Sequence, residues 1–120
     1  ALAEDPRCVL KTLMAEVDGK PVCDIIPPDW EVSMKKLAAA FGGKSAAMMR
    51  PVDAERLTGY HVGGISPFGQ RKLVPAAIEI AALDEAAVYI NGGQRGLQIH
   101  IAPADALRVL KAVAAPLVAD

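Results

Sequence analysis

Three places in this 120-residue chain carry residue types that can do chemistry. The first is Lys11. Along the alternating stretch 9–17, Val9, Lys11, Leu13, Ala15 and Val17 share one face, and Leu10, Thr12, Met14 and Glu16 share the other. A lysine in phase with the more apolar set must snorkel to water, pair with an acid or line a cleft. In a cleft its ammonium would serve a phosphate or a carbonyl oxygen. The second place is Gly59-Tyr60-His61-Val62-Gly63-Gly64-Ile65-Ser66-Pro67-Phe68-Gly69, with four glycines and one proline in eleven residues. Gly63-Gly64 lets backbone N–H groups come close to a ligand, and a run of free N–H groups can hold an anion or a developing oxyanion. Pro67 fixes the turn, while Tyr60 and Phe68 would wall a small pocket. Without a ligand the same segment is a surface loop packed by its own aromatics. The third place is Asn91-Gly92-Gly93-Gln94-Arg95-Gly96, which reads first as a hairpin turn. Set beside the first loop, its backbone would complete a cleft, with Arg71, Lys72 and Arg95 as a basic rim.

The familiar catalytic and metal sets are not spelled out. His61, His100, Cys8 and Cys23 stand at wide, irregular spacings that match no zinc pattern. His100 points away from Leu97, Ile99 and Ile101 and reads as a solvated or packing residue. His61 reads as loop surface before it reads as functional. Of Ser33, Ser45 and Ser66, none sits in a Gly-x-Ser-x-Gly elbow. Neither a Gly-x-Gly-x-x-Gly fingerprint nor a complete P-loop motif is present, so no nucleotide cofactor and no metal is expected.

The elements that must position these residues follow from local signals. Val9 to Val17 predicts a strand, Asp18-Gly19 a tight turn and Pro21 to Ile26 its hairpin partner. Ser33 is a helix N-cap, and Met34, Leu37, Ala38 and Phe41 make one apolar helical face up to Gly42-Gly43. A short strand is expected over Ala46 to Met49, then a helix from Pro51 to near Leu57. The connection from Gly59 to about Lys72 exceeds the usual length of about 2–6 residues. Strands follow near Ala76–Ile80, Ala87–Asn91 and Leu97–Ile101. A final helix is expected over Ala104 to about Ala115, with Leu107, Leu110, Val113 and Leu117 on one side. The fold class is α+β: one domain, residues 1–120, with a mixed, largely antiparallel and partly rolled sheet flanked by helices.

Composition narrows the functional classes. The chain has 13 basic and 14 acidic residues, a net charge of −1, so any nucleic-acid contact must be local or shared with a partner. Only 4% aromatic residues argues against a base-stacking platform. No apolar run approaches the roughly 20 residues of a membrane span. Ala1 to Arg7 carries Glu4, Asp5 and Arg7 and is no signal peptide, so reduced cysteines and the cytoplasm are the default. Lacking an initiator Met, the chain is expected to start further upstream.

The three places together resemble the YbaK family, the prolyl-tRNA editing domain superfamily. The most specific part is Thr58-Gly59-Tyr60 followed by Val62-Gly63-Gly64-Ile65-Ser66-Pro67-Phe68-Gly69-Gln70. Lys11-Thr12-Leu13, Val17-Asp18-Gly19, Lys35-Lys36-Leu37, Tyr89-Ile90, Gly92-Gly93 and Arg95-Gly96-Leu97 support it. The resemblance implies a small metal-free deacylase that hydrolyses mischarged aminoacyl-tRNA in trans. Cysteinyl-tRNA(Pro), or another small amino acid on tRNA(Pro), is the expected substrate, and prolyl-tRNA synthetase its source and a potential partner. In the YbaK branch the substrate thiol is the expected nucleophile, so positioning and oxyanion stabilisation would suffice. By resemblance Lys11 meets the tRNA 3′ end, and the N–H groups of Gly63, Gly64 and Ile65 hold the carbonyl oxygen. Tyr60, Val62, Ser66, Pro67, Phe68, Asn91, Gly92 and Gly93 shape the aminoacyl pocket.

The departures from the family pattern concern specificity. Asn91 replaces a common serine, and Gln98 and His100 stand where YbaK has acidic residues. The family's N-terminal helix and strand, with a pocket tyrosine, have no counterpart before Ala1. Two other readings accompany the deacylase: a non-catalytic module that binds a tRNA acceptor end or a synthetase, and a hydrolase of small esters or amides.

Overall fold

Nine residues of Val9–Val17 form β1, the strand on which the rest of the molecule is assembled. The structure, a computed structural model, describes residues 9–94 and 96–119; Cys8, Arg95 and the N-terminal residues 1–7 lie outside them. Asp18 and Gly19, with φ of 51° and 82°, turn the chain into β2 (Lys20–Ile26). The two strands run antiparallel, from Lys11 opposite Ile26 to Val17 opposite Lys20. Ser33 accepts the Lys36 N–H and starts α1 (Met34–Ala40), as its place ahead of the apolar face predicts. Then come β3 (Ala46–Met48), α2 (Pro51–Thr58, with proline in its first turn) and the glycine loop. The rest of the chain forms β4 (Ala76–Glu79), a 3₁₀ turn over Ile80–Asp84, β5 (Val88–Asn91), β6 (Gln98–Ile101), α3 (Pro103–Leu110) and β7 (Val113–Ala115).

The seven strands among the described residues form one sheet in the order β6-β5-β1-β2-β4-β7, with β3 also beside β1. The sheet is mixed. β1–β2, β1–β3 and β5–β6 are antiparallel, including the longest ladder, whereas β1–β5, β2–β4 and β4–β7 are parallel. Both faces are covered, so β1 alternates between two apolar layers instead of core and solvent. Leu10 and Met14 join Cys23, Ile25, Ile78 and Ile90 under Ala54 of α2 and Ala106 of α3. Ala15 and Val17 join Val22, Ile26 and Ala77 under Leu37 and Ala38 of α1. Each fully buried Ile or Leu here contributes about 1.5–3 kcal/mol.

The final helix is shorter than the sequence predicts. It ends at Leu110, because Lys111 turns left-handed (φ 52°) and the chain re-enters the sheet as β7 beside β4. Val113 is consequently exposed, not on a helical core face, while Leu117 is fully buried. Nothing local forbids helix through Ala112–Ala115. The free edge of β4 captures this segment. Glu79 then fixes the tail beyond β7 by accepting the N–H groups of Leu117 (2.7 Å) and Val118 (3.1 Å).

Candidate functional site

The edge of β1 opposite β2 is interrupted. β5 pairs there only with Val9 and Leu10, and β3 only with Ala15, Glu16 and Val17. Lys11, Thr12, Leu13 and Met14 are left without a neighbouring strand on that side. The Met14 carbonyl accepts the Met49 N–H (3.1 Å), so the backbone of Met14 faces the gap. By the two-residue alternation of an antiparallel strand, so does the backbone of Thr12. A cleft of about 440 Å³ opens at this gap, within the usual range of small-molecule sites.

Five of the residues expected in the site line this cleft: Lys11, Val62, Gly63, Ile65 and Asn91. The Lys11 ammonium donates to the Pro28 carbonyl (2.9 Å) at the cleft wall. Lys11 thus does not merely snorkel, and among the described residues it forms no ion pair. Asn91 Oδ1 accepts the Gly93 N–H (2.7 Å), which turns the polar end of Asn91 back on its own hairpin. Gln98, opposite Asn91 in the β5–β6 ladder, completes that wall. Thr12 escaped the sequence reading because threonine in a strand needs no explanation. Its hydroxyl is buried and has no hydrogen-bond partner among the described residues, and it lines the cleft.

The other predicted residues brace the loop instead of walling the cleft. Tyr60 donates its hydroxyl to the Phe68 carbonyl, and the Phe68 N–H donates to Ser66 Oγ (3.1 Å). Gln70 Nε2 donates to the Ser66 carbonyl (2.9 Å). Ser66 and Pro67 are buried, and Tyr60 and Phe68 pack on the core, so none of the four lines the cleft. The Gly64 N–H, expected to serve as an oxyanion donor, donates to the His61 carbonyl within the loop (2.9 Å). The N–H groups of Gly63 and Ile65 carry no such bond among the described residues. Gly63 holds a φ of 93°, a conformation that costs little only for glycine.

The second glycine turn closes a hairpin and also meets the first. Gly93 lies against the Tyr60 ring, and with Gly63, Gly64 and His61 it lines a shallow depression of about 250 Å³ beside the main cleft. Gly92 donates to the Leu97 carbonyl (2.8 Å) and closes the hairpin without lining the cleft. The basic rim lies elsewhere: Arg71 and Lys72 border a separate depression with Arg56, on the far side of Met49.

Titratable groups complete the picture. His61 is almost wholly exposed, with Nδ1 3.6 Å from Glu55 Oε2. His100 stacks on Tyr89 with ring centroids 4.5 Å apart. Cys23 is buried, and burial together with neighbouring Asp24 pushes its thiol up, away from the reactive thiolate. Asp24 is fully buried, and burial pushes its carboxyl up to about 7 against the pull of its own backbone N–H and of Lys11. The Gly43-Lys44-Ser45 turn is no anion cradle, because the N–H groups of Lys44 and Ser45 donate to the Asp18 carboxylate. Among the described residues, no three of His, Cys, Asp and Glu gather where they could hold a metal ion. No helix among them is long and apolar enough to cross a membrane.

The arrangement defines a class: an α+β domain with a cleft at an interrupted strand edge, lined by one lysine and by the glycine loop at Gly63 and Ile65. Comparison with known proteins sharpens the class. The model of the aminoacyl-tRNA editing domain matches residues 1–109, and the chain belongs to that family. It is 40% identical over 97 residues to EbsC of Enterococcus faecalis, named as a Cys-tRNA(Pro)/Cys-tRNA(Cys) deacylase, covering 79% of this chain and 58% of the relative. It is 30% identical over 106 residues to the multifunctional Ser/Thr-tRNA deacylase ProXp-y of Escherichia coli K12, covering 82% and 62% respectively. The chain thus spans about three fifths of the length of these curated relatives. A crystal structure described as a trans-editing enzyme for prolyl tRNA synthetase superposes with a TM-score of 0.88 at 21% identity, covering 97% of this chain and 73% of that one. That likeness establishes the shared fold.

Proposed function

We propose that this domain is a trans-editing deacylase that hydrolyses the ester of mischarged aminoacyl-tRNA, with cysteinyl-tRNA(Pro) as its first substrate. One observation carries the reading: Lys11, Gly63 and Ile65 line one cleft, the two loop N–H groups without a hydrogen-bond partner among the described residues, in a chain of the aminoacyl-tRNA editing family. Lys11 meets the phosphate or ribose of the tRNA 3′ end, where a fixed positive charge attracts an anion. The aminoacyl group enters the gap beside β1, and Gly63 and Ile65 donate to its carbonyl oxygen as negative charge develops there.

Among the described residues Cys23 is buried with a raised thiol, and Ser66 is buried and accepts the Phe68 N–H. Neither is placed to attack, and the resemblance to the YbaK branch points to the substrate's own thiol as the nucleophile. The sulfur of the cysteinyl group attacks its own carbonyl, and the C–O bond to the ribose breaks. The thiol proton passes to the departing ribose oxygen, and the resulting thiolactone hydrolyses in water. Holding thiol and carbonyl in contact supplies the acceleration by proximity. Similarity to EbsC, named as a Cys-tRNA deacylase, favours cysteine. Prolyl-tRNA synthetase is the proposed source of the mischarged tRNA.

The test is deacylation of cysteinyl-tRNA(Pro) by the purified protein. An S-methylated cysteinyl ester should be spared, because its sulfur cannot attack and release the product. A second reading, a binding module without catalysis, draws on Asn91, whose side-chain oxygen is bonded to its own hairpin and not offered to a ligand. Tight binding of a non-hydrolysable acceptor-end analogue without turnover of any ester would favour that module.

A further inference from the structure

Asp24 is a charged residue type at 0% exposure in the middle of β2, and neither carboxylate oxygen has a hydrogen-bond partner among the described residues. A carboxyl group in that state is costly to hold and calls for a role. The β1–β2 register supplies one. Leu13 lies opposite Asp24 and Lys11 opposite Ile26, so Lys11 and Asp24 share a face as diagonal neighbours. Diagonal positions stand about 7–8 Å apart, within the reach of a lysine side chain. The Lys11 ammonium instead sits on the Pro28 carbonyl at the cleft wall.

Among the described residues, the other charged groups on this side are occupied. Glu79, on the same face of β4 as Ala77 opposite Asp24, accepts the N–H groups of Ala81, Leu117 and Val118. Lys36 of α1 donates its ammonium to the Val118 carbonyl. Cys23, next in sequence, points to the opposite apolar layer.

We propose that Asp24 is a positioning residue for Lys11, drawing its ammonium inward when ionised and leaving it at the cleft wall, open to an anionic substrate, when protonated. Asp24 touches no substrate. The inference rests on the deacylase reading only where it speaks of substrate, because the Lys11–Asp24 coupling is a property of the free protein. The raised carboxyl of Asp24 puts the change near neutral pH. Acidification then strengthens tRNA binding, and alkalinity weakens it.

The experiment follows the side-chain carbon signal of Lys11 in protein labelled with ¹³C-lysine, assigned with Lys11→Arg, from pH 5.5 to 8. The wild-type signal should show an inflection near neutrality that Asp24→Asn removes. In deacylation, KM should rise about tenfold across that range in wild type, a 1.4 kcal/mol change, and stay level in Asp24→Asn, with kcat following the same pH curve in both. A purely structural Asp24 would change the melting temperature without moving either pH curve. If Asp24→Asn fails to fold, Asp24→Val gives the same comparison. No wild-type inflection, or an inflection that persists without Asp24, overturns the proposal. An inflection that depends on Asp24, in a protein that deacylates no tRNA, upholds it while refuting the deacylase reading.

Discussion

Gly93 lies against the Tyr60 ring, and a Cβ added to it would stand 2.8 Å from ring carbon Cε1. That contact locks the second glycine turn to the first, and with it the β5–β6 hairpin to the loop that carries Gly63. The cleft wall formed by Asn91 and Gln98 and the wall formed by Gly63 and Ile65 are therefore held at a fixed distance. Gly93 also has a φ of 112°, outside the range of ordinary L-residues. Gly93→Ala should lower stability by about 1–3 kcal/mol through backbone strain and the clash. Thermal unfolding checks this, and an unchanged midpoint would mean that the two turns move independently.

Lys11 gives a second prediction. Replacing it with Ala removes the cleft's ammonium but, among the described residues, only one exposed hydrogen bond of the fold. The unfolding midpoint should stay within about 2 °C, while KM for charged tRNA rises roughly 10- to 100-fold, the worth of one hydrogen bond to a charged group. Steady-state kinetics beside a melting curve separates the two effects. Loss of folding without a specific KM effect would assign Lys11 to the scaffold.

Asp24 gives a pH dependence whose sign is fixed. Its folded carboxyl titrates at about 7, against 3.8 for an ordinary aspartate. Between those values the folded protein holds a proton that the unfolded chain has released. The group's effect on stability therefore worsens as pH rises through that window, by on the order of 2–4 kcal/mol in all. Asp24→Asn should flatten that slope and leave the protein more stable than wild type at pH 8. Chemical denaturation at pH 5 and pH 8 reads this directly, and parallel slopes in the two proteins would contradict it.

Glu79 is the fourth case. It is buried and accepts three backbone N–H groups, two of them in the segment after β7. Glu79→Ala leaves those donors unpaired and should cost about 3 kcal/mol, with amide exchange at Leu117 and Val118 accelerating first. Equal protection of those amides in the variant would show that the tail is held by packing of Leu117 alone.

The hairpin of β1 and β2 and both ends of α1 were legible in the sequence because each rests on a local signal: alternation, Asp18-Gly19, Ser33 and Gly42. The end of α3 was not, since Ala112–Ala115 suits helix and strand alike and a distant edge decides. In the site, Lys11 stood out as a cation in an apolar phase, and the glycine loop stood out by composition. The cleft itself was hidden. It exists because β5 stops pairing at Leu10 and β3 starts at Ala15, a matter of long-range register that no window of sequence contains. For the same reason the loop residues could not be sorted into Gly63 and Ile65, which face the cleft, and Tyr60, Ser66 and Phe68, which brace it. Thr12 and Asp24 were missed because their significance lies in what fails to reach their oxygens.

In the proposed function, this cleft removes a wrong amino acid from tRNA by positioning the substrate's own nucleophile. The most direct measurement is a deacylation panel of cysteinyl-, alanyl-, seryl- and prolyl-tRNA(Pro) with the purified protein, each corrected for spontaneous hydrolysis. Cysteine should be lost rapidly from tRNA(Pro), with the prolyl ester spared. Failure to hydrolyse any of the four, or equal hydrolysis of the cysteinyl and prolyl esters, would contradict it.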